Sequence, residues 1–129
     1  MANFSNYLED ALINGTLRNT AYTPPATVYM ALYTSNPTKA NTGTELSGNG
    51  YVRTAITFAA PSSGVTSNSA IVTFPTCTTA NWGVITHFAL FDAQTTGHML
   101  YFGELTASVT VNVGETFVAQ IGGISVTLS

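Results

Sequence analysis

Charged side chains are scarce in this sequence. They make up 7% of its 129 residues, against about 25% in an ordinary soluble domain, and the formal net charge is −3. A monomer with so few charges has little electrostatic protection against association. We therefore expect a surface rich in Thr, Ser, Asn and Gly, part of which is covered by partner proteins. The alternative is a monomer with a hydroxyl-rich surface.

Basic residues are the scarcest charged type, with only Arg18, Lys39 and Arg53 in the chain. Three dispersed cations cannot neutralise a row of phosphates, which argues against nucleic-acid binding. They also cannot form the basic patch that attracts a protein to anionic membranes. Apolar runs of the roughly 20 residues that span a bilayer are missing too.

The first residues do not resemble a secretory signal. Met1–Leu8 has no basic residue, and Glu9 and Asp10 fall where a signal peptide has its apolar stretch. We expect the protein to be made in a cytoplasm and not exported by that route.

Cysteine occurs once, so the sequence allows no internal disulfide. The segment Pro75–Thr79 around Cys77 contains neither a histidine nor an acid that could activate a thiolate. We interpret Cys77 as a buried, small hydrophobic residue.

Catalytic patterns are missing as well. A hairpin between the strands that contain His87 and His98 could bring both histidines near Asp92, which would meet the ligand count for a zinc ion, but no motif supports this. The acids of the β-region show no spacing that singles out a catalytic pair, and no nucleophile elbow or phosphate-binding loop occurs. We expect no enzymatic activity, no cofactor and no metal, with a small hydrolytic domain as the remote alternative.

The first element of the chain has helical periodicity. Apolar residues recur at the spacing of one helical face, which predicts a short helix over residues 6–14 with the stripe Phe4, Tyr7, Leu8, Ala11 and Leu12. Asn6 is the expected cap, with Glu9 completing a capping box, and Asn14-Gly15 is the expected stop. The stripe docks either on the domain itself or on a neighbouring subunit.

After Thr23-Pro24-Pro25 the period changes to two, the period of β-strands. The pattern predicts a central strand apolar on both faces and shorter strands between Gly-, Pro- and Ser-rich turns. The predicted strands cover 27–33, 51–58, 70–74, 84–91, 99–104, 108–113, 116–121 and 123–128. We therefore expect an all-β fold: an antiparallel β-sandwich of about eight strands, jelly-roll-like, with a short N-terminal helix. We expect residues 1–129 to form one domain, with an N-terminal helix and arm over 1–25 and the sandwich over 26–129.

The polar stretch Thr34–Gly50 is predicted to be a surface loop, longer than most connections. Its turn residues suggest either an unremarkable flexible loop or a contact loop for a partner.

Several segments resemble a family of small tailed-phage virion proteins. The clearest is Ala26–Pro37, which is similar to an opening of the form ALYT–x–DP, although Asn36 stands where an acid is expected before Pro37. The likeness continues in Gly43–Arg53, Ser67–Ala70, Val72–Pro75, Trp82–Gly83, Thr86–Asp92 and Leu100–Leu105. It covers most of the chain.

This resemblance implies a structural protein of the phage particle and identifies no catalytic residue. Members of such families are labelled tail-fibre or head-fibre proteins, and small proteins of this type also serve as capsid cement. The leading hypothesis is a decoration protein on the head surface that binds the major capsid protein as a homotrimer and stabilises the head. The alternative is a tail-fibre or head-fibre domain that recognises a host glycan. The residues expected to contact partners are Phe4, Tyr7, Leu8, Leu12, Asn36, Lys39, Glu45 and Leu46.

Overall fold

A computed structural model describes residues 2–128 of the chain. Within them it contains one helix and nine strands. In chain order these are β1 Ala2–Phe4, α1 Asn6–Leu17, β2 Val28–Tyr33, β3 Thr54–Ile56, β4 Val65–Ser67, β5 Val72–Thr73, β6 Gly83–Phe91, β7 Met99–Val111, β8 Val118–Ala119 and β9 Ser125–Thr127. Across residues 2–128 no helix has the length and apolarity needed to cross a membrane.

The largest sheet has five antiparallel strands in the order β1-β7-β6-β2-β3. Its centre is β6, the strand whose sequence is apolar on both faces, as the pattern predicts for a strand covered on both sides. Two ribbons, β4-β9 and β5-β8, form the remaining pairs.

One core lies between the five-stranded sheet and the two ribbons. Met30, Leu32, Phe88 and Leu90 from the sheet share a buried cluster with residues that alternate along the ribbons. Those ribbon residues include Val72, Phe74, Phe117, Ala119, Ile124 and Val126. The fold is therefore β-rich and sandwich-like, with no closed barrel in the described residues, which confirms the predicted fold class.

A second, smaller core covers the opposite face of the large sheet. It consists of Ala31, Tyr33, Ala89, Phe91, Met99 and Phe102, all buried. Since side chains alternate between the faces of a strand, Ala31 and Tyr33 lie opposite Met30 and Leu32. Both faces of β2 and β6 are thus covered. The loops that cover the second core lie together at one end of the molecule.

The helix differs from its prediction at both ends. Its cap is Ser5 and not Asn6: the Ser5 hydroxyl accepts a hydrogen bond from the Leu8 N–H at 3.1 Å, while Asn6 is already helical. The helix continues through Asn14-Gly15 to Leu17. The left-handed residue that follows is Asn19, with φ 56°.

Two predictions about strands were wrong in detail. Phe4 does not lie on the helix but on β1, which pairs with β7, because the chain is extended before Ser5. The expected separate strand over 108–113 is instead the second half of β7, which runs over 13 residues. The jelly-roll order is not confirmed, since the second layer described here consists of two ribbons.

Candidate protein-contact site

Three segments meet at one end of the molecule: the start of α1, the loop 34–50, and the loop 92–98 that joins β6 to β7. The Asn6 N–H donates to the Lys39 carbonyl at 3.0 Å, and Lys39 Nζ lies 2.6 Å from Glu9 Oε2. We call this region the helix–loop end. The two segments that the sequence singles out as contact candidates are thus in direct contact with each other.

The loop 34–50 is anchored along β2. The Thr34 N–H donates to the Thr44 carbonyl and the Leu46 N–H to the Leu32 carbonyl, each at 3.0 Å. Pro37 is fully buried, and Gly43 lies so close to the Asn36 carbonyl that an added Cβ would be 2.5 Å from its oxygen. These contacts give the loop a fixed shape, so its exposed side chains are presented in a defined arrangement.

An ion pair between Glu45 and Arg53 lies at the centre of the helix–loop end. Arg53 Nε and Nη2 donate to the two carboxylate oxygens of Glu45 at 2.8 and 2.9 Å. Both side chains are largely buried, with 10% exposure for Arg53 and 23% for Glu45. This two-pronged geometry fixes the orientation of both side chains.

The same guanidinium also holds the loop 92–98. Arg53 Nη1 donates to the carbonyls of Ala93 and Thr96 at 3.1 and 2.6 Å. The central guanidinium carbon, Arg53 Cζ, lies 3.6 Å from the centre of the Phe91 ring. Burial alone would lower the pKa of Arg53, but the hydrogen bonds and charge of Glu45 outweigh burial and raise it. One cation therefore connects the loop 34–50, the start of β3 and the loop after β6.

Two tyrosine hydroxyls complete this network. Tyr51 Oη donates to Glu45 Oε2 at 2.7 Å and accepts from the Leu32 N–H at 3.2 Å, while Tyr33 Oη donates to Asn41 Oδ1 at 2.7 Å. Burial, reinforced by the Glu45 carboxylate, raises the pKa of both phenols well above the ordinary value of 10.0. Both hydroxyls are therefore held protonated as donors.

A groove of about 370 Å³ lies beside the network, between the start of α1 and the loop 92–98. Its wall contains Tyr7, whose ring stacks on His98 with centroids 4.0 Å apart. His98 is held in turn by Asp92, which accepts from the His98 N–H at 2.7 Å and lies 3.3 Å from its Nδ1. On the other side of Tyr7, burial and nearby charges raise the pKa of Tyr22. The groove thus combines aromatic faces with polar groups.

The residues predicted as contacts are in different environments. Tyr7, Asn36 and Lys39 have exposed side chains at the helix–loop end. The other five contribute to packing: Leu8 is 3% exposed, and Phe4, Leu12, Glu45 and Leu46 are partly buried. Phe4 packs edge-on against Tyr101 with centroids 5.4 Å apart. Only the first three have side chains freely available to a partner, and their contact role remains a prediction.

The role of Arg53 and Tyr51 in this region cannot be predicted from the sequence. The sequence offers one signal, since Arg53 is one of only three basic residues and lies near the start of the predicted strand 51–58. Its partner Glu45 lies in the preceding loop, and the partner carbonyls of Ala93 and Thr96 lie far away in sequence. The pairing depends on tertiary structure that no spacing encodes.

The two histidines do not come together. His98 lies beside Asp92, whereas the His87 Nδ1 is 2.8 Å from the Thr86 hydroxyl and His87 is paired with Tyr33 and Glu104 across the sheet. Among residues 2–128, no group of three His, Cys, Asp or Glu side chains could hold a metal ion. What this region offers chemically is a preformed surface of aromatic, amide and hydroxyl groups.

Comparison with known proteins identifies a family. A family model described as podophage GP4 fiber I protein gp80 matches residues 3–127. No curated protein gives a significant match. The match spans nearly the whole chain, includes every segment in which the sequence resembles phage virion proteins, and so confirms that resemblance. The chain therefore belongs to the family of the podophage GP4 fiber I protein gp80, and is a fibre-type structural protein of a phage particle.

Proposed function

We propose that this protein is a non-enzymatic decoration subunit of the phage head, which binds the major capsid protein as a symmetric oligomer, most simply a trimer, and stabilises the shell. Family membership supports a structural role in the particle. We further propose that the partner is the major capsid protein, that the protein acts as an oligomer and that it lies on the head. Function here consists of protein contacts and requires no bound cofactor.

The observation that carries the proposal is the segregation of charge. Residues 54–91 and 116–128 contain no Asp, Glu, Lys or Arg, and these ranges include all four ribbon strands, β4, β5, β8 and β9. Most charged residues lie instead at the helix–loop end, among them Glu9, Lys39, Glu45, Arg53 and Asp92. An uncharged face can be covered by another protein without the cost of desolvating ions.

The helix–loop end supplies the second requirement, a preformed contact surface. The ion pair of Glu45 and Arg53 and the buried Pro37 fix the loop 34–50 before any partner binds. A rigid surface loses little conformational entropy on docking. When many copies bind one shell, modest contacts of this kind add up to a stable coat.

A second candidate function is recognition of a host-surface glycan by a fibre. The groove lined by Tyr7, His98 and Asn41 favours it, because sugar rings pack on aromatic faces while their hydroxyls bond to polar side chains such as amides. The printed family description, a fiber protein, is also consistent with this role. For glycan recognition, a few copies of the protein at the end of a fibre would be enough.

Particles that carry variants of the exposed contact residues separate the two functions. Lys39→Glu and Tyr7→Ala change side chains at the helix–loop end, and Arg18→Glu is the matched control away from the groove. If the protein decorates the head, the first two variants lower its amount on purified particles and the heat tolerance of filled heads. If particles retain the protein and their heat tolerance but no longer adsorb to cells, decoration is contradicted and glycan recognition is supported.

A further inference from the structure

The ribbon β5-β8 leaves one side of a strand without a partner. Among residues 2–128, β8 pairs only with β5, through Val72↔Ala119 and Thr73↔Val118. Residues of β8 and of the second half of β7 line a common groove of about 250 Å³. Unpaired strand sides of this kind are the usual places where another chain adds to a sheet.

The other wall of this groove is a large bulge. The pairing of β6 with β7 passes from Ile85↔Val109 to His87↔Glu104, so that Leu105–Ser108 lies opposite Thr86 alone. These bulge residues have no partner in the strand ladder, and Thr106, Ala107 and Ser108 are exposed. Bulges interrupt the ladder and re-aim a strand locally. Leu105, Thr106 and Ala107 of this bulge line the groove.

The lining of the groove is uncharged. It is formed by residues 105–107, 109, 117–120, 123 and 124, none of which is Asp, Glu, Lys or Arg. Val109 and Val118 are 38% and 41% exposed, and Ile121, at the end of the β8 segment, is 64% exposed. Ile71 on the neighbouring strand segment adds a fourth exposed apolar side chain.

We infer that this surface, formed by the bulge Leu105–Ser108, β8 and Ile121, is where a second copy of the same chain docks. We call it the β8 face. The inference rests on the symmetric oligomer of the proposed function and identifies the contact that builds it. Ions of a charged partner would be desolvated against the β8 face without finding a counter-charge.

Charge complementarity favours a second copy as the occupant. The occupant must itself present an uncharged face, and the ribbon strands β4, β5, β8 and β9 of this chain, which lie within the uncharged ranges 54–91 and 116–128, form such a face. Its outward residues are of the same kind, hydroxyl and β-branched side chains such as Ile71, Thr73 and Val118. Two copies therefore meet through matched neutral surfaces, while the charged helix–loop ends remain in water.

Introduced charge tests the inference. Val118→Lys and Ile121→Lys add a cation to outward-facing side chains, and Leu17→Lys does the same at a 79% exposed position on α1. Native mass spectrometry and sedimentation across a concentration series measure the association of each purified protein. We expect the wild type to be oligomeric, the two β8-face variants to dissociate with a dissociation constant raised at least about tenfold, and Leu17→Lys to match the wild type. Unchanged melting curves verify that the variants are folded.

Hydrogen exchange provides a second measurement on the unaltered protein. The backbone amides of Leu105–Ser108 and β8 should exchange more slowly as the protein concentration rises through the dissociation constant. The inference is overturned if the wild type stays monomeric at high micromolar concentration. It is equally overturned if the lysine variants associate normally, or if protection on association lies at the helix–loop end. A monomer that still coats particles would remove this inference together with the oligomer of the proposed function, and would leave head decoration standing. An oligomer that associates through the β8 face but never binds particles would remove head decoration and leave this inference.

Discussion

Arg53 and Glu45 form a bidentate ion pair, with N–O distances of 2.8 and 2.9 Å, that closes the second core of the sheet. The guanidinium lies over the ring of Phe91 in that core and also donates to carbonyls of the loop 92–98. In a chain with only three basic residues, one is thus used to fix the shape of two loops. The first prediction follows from this use.

Arg53→Met should destabilise the fold by about 3 kcal/mol, because it leaves the Glu45 carboxylate without its counter-charge in a largely buried position. The estimate is at the lower end of the usual range because Glu45 keeps 23% exposure. Urea unfolding measures the change, with Arg18→Met as the matched control, since Arg18 lies on the surface and bonds only to Asn14 within its own helix. Equal losses of unfolding free energy in the two variants would contradict the role of Arg53 in holding the two loops.

The second prediction concerns alkaline pH. The pKa of Tyr51 is raised in the folded protein, so its protonated form is favoured by folding. The corresponding stability is fully present below the unfolded pKa of about 10 and is lost as the pH rises through the folded value. The free energy of unfolding should therefore fall as the pH is raised above about 10.

Tyr51→Phe provides the comparison for this pH dependence. The variant should lose about 1–3 kcal/mol at neutral pH, because the Leu32 N–H and Glu45 lose a partner. It should also show a shallower decline above about pH 10, since one of the shifted phenols is gone. Thermal melts between neutral and alkaline pH measure both effects, and parallel curves for the variant and the wild type would refute the assignment.

The third prediction compares two leucines of the helix. Leu8 is 3% exposed and Leu17 is 79% exposed. Leu8→Ala should cost about 2–5 kcal/mol, the usual effect of removing a buried leucine side chain, whereas Leu17→Ala should be close to neutral. Chemical denaturation of both variants checks this. If Leu8→Ala melts like the wild type and only its particle binding falls, the stripe docks on a neighbouring subunit and not on its own domain.

The fourth prediction concerns the aromatic groove. Tyr7→Phe should keep the stacking on His98 and the melting temperature, because Tyr7 is partly exposed and the ring is retained. Tyr7→Ala removes the ring and should weaken the partner contacts of the helix–loop end. The amount of each variant on washed particles, relative to the wild type, measures this, and a loss with Tyr7→Phe equal to that with Tyr7→Ala would show that the ring face is not the contact.

The sequence predicts the fold class well because its signals are local. The alternation of Val28, Met30 and Leu32 and the doubly apolar run 84–91 identify strands that the structure contains as β2 and β6. The prediction of Asn6 as the helix cap was wrong, because Ser5 and Asn6 are both good cap residues. The pairing of β1 with β7 decides between them by keeping the chain extended up to Phe4.

The contact site is predicted only in part. The sequence identifies the N-terminal segment and the loop 34–50, which come together through Asn6, Glu9 and Lys39. It does not reveal that Leu8, Glu45 and Leu46 serve packing inside the chain, because exposure depends on contacts between distant segments. The bulge of β7 also depends on pairing with a distant segment. The sequence pattern alone predicts a break between two strands at this place.

The copy number of the protein on the particle tests the central claim most directly. Purified, salt-washed particles are resolved by denaturing electrophoresis, and the intensity of this protein's band is compared with that of the major capsid protein, corrected for mass. A decoration subunit that coats the shell should give a molar ratio of the same order as the capsid protein itself. A trace amount, or complete loss of the protein on washing without loss of heat tolerance, would contradict the account.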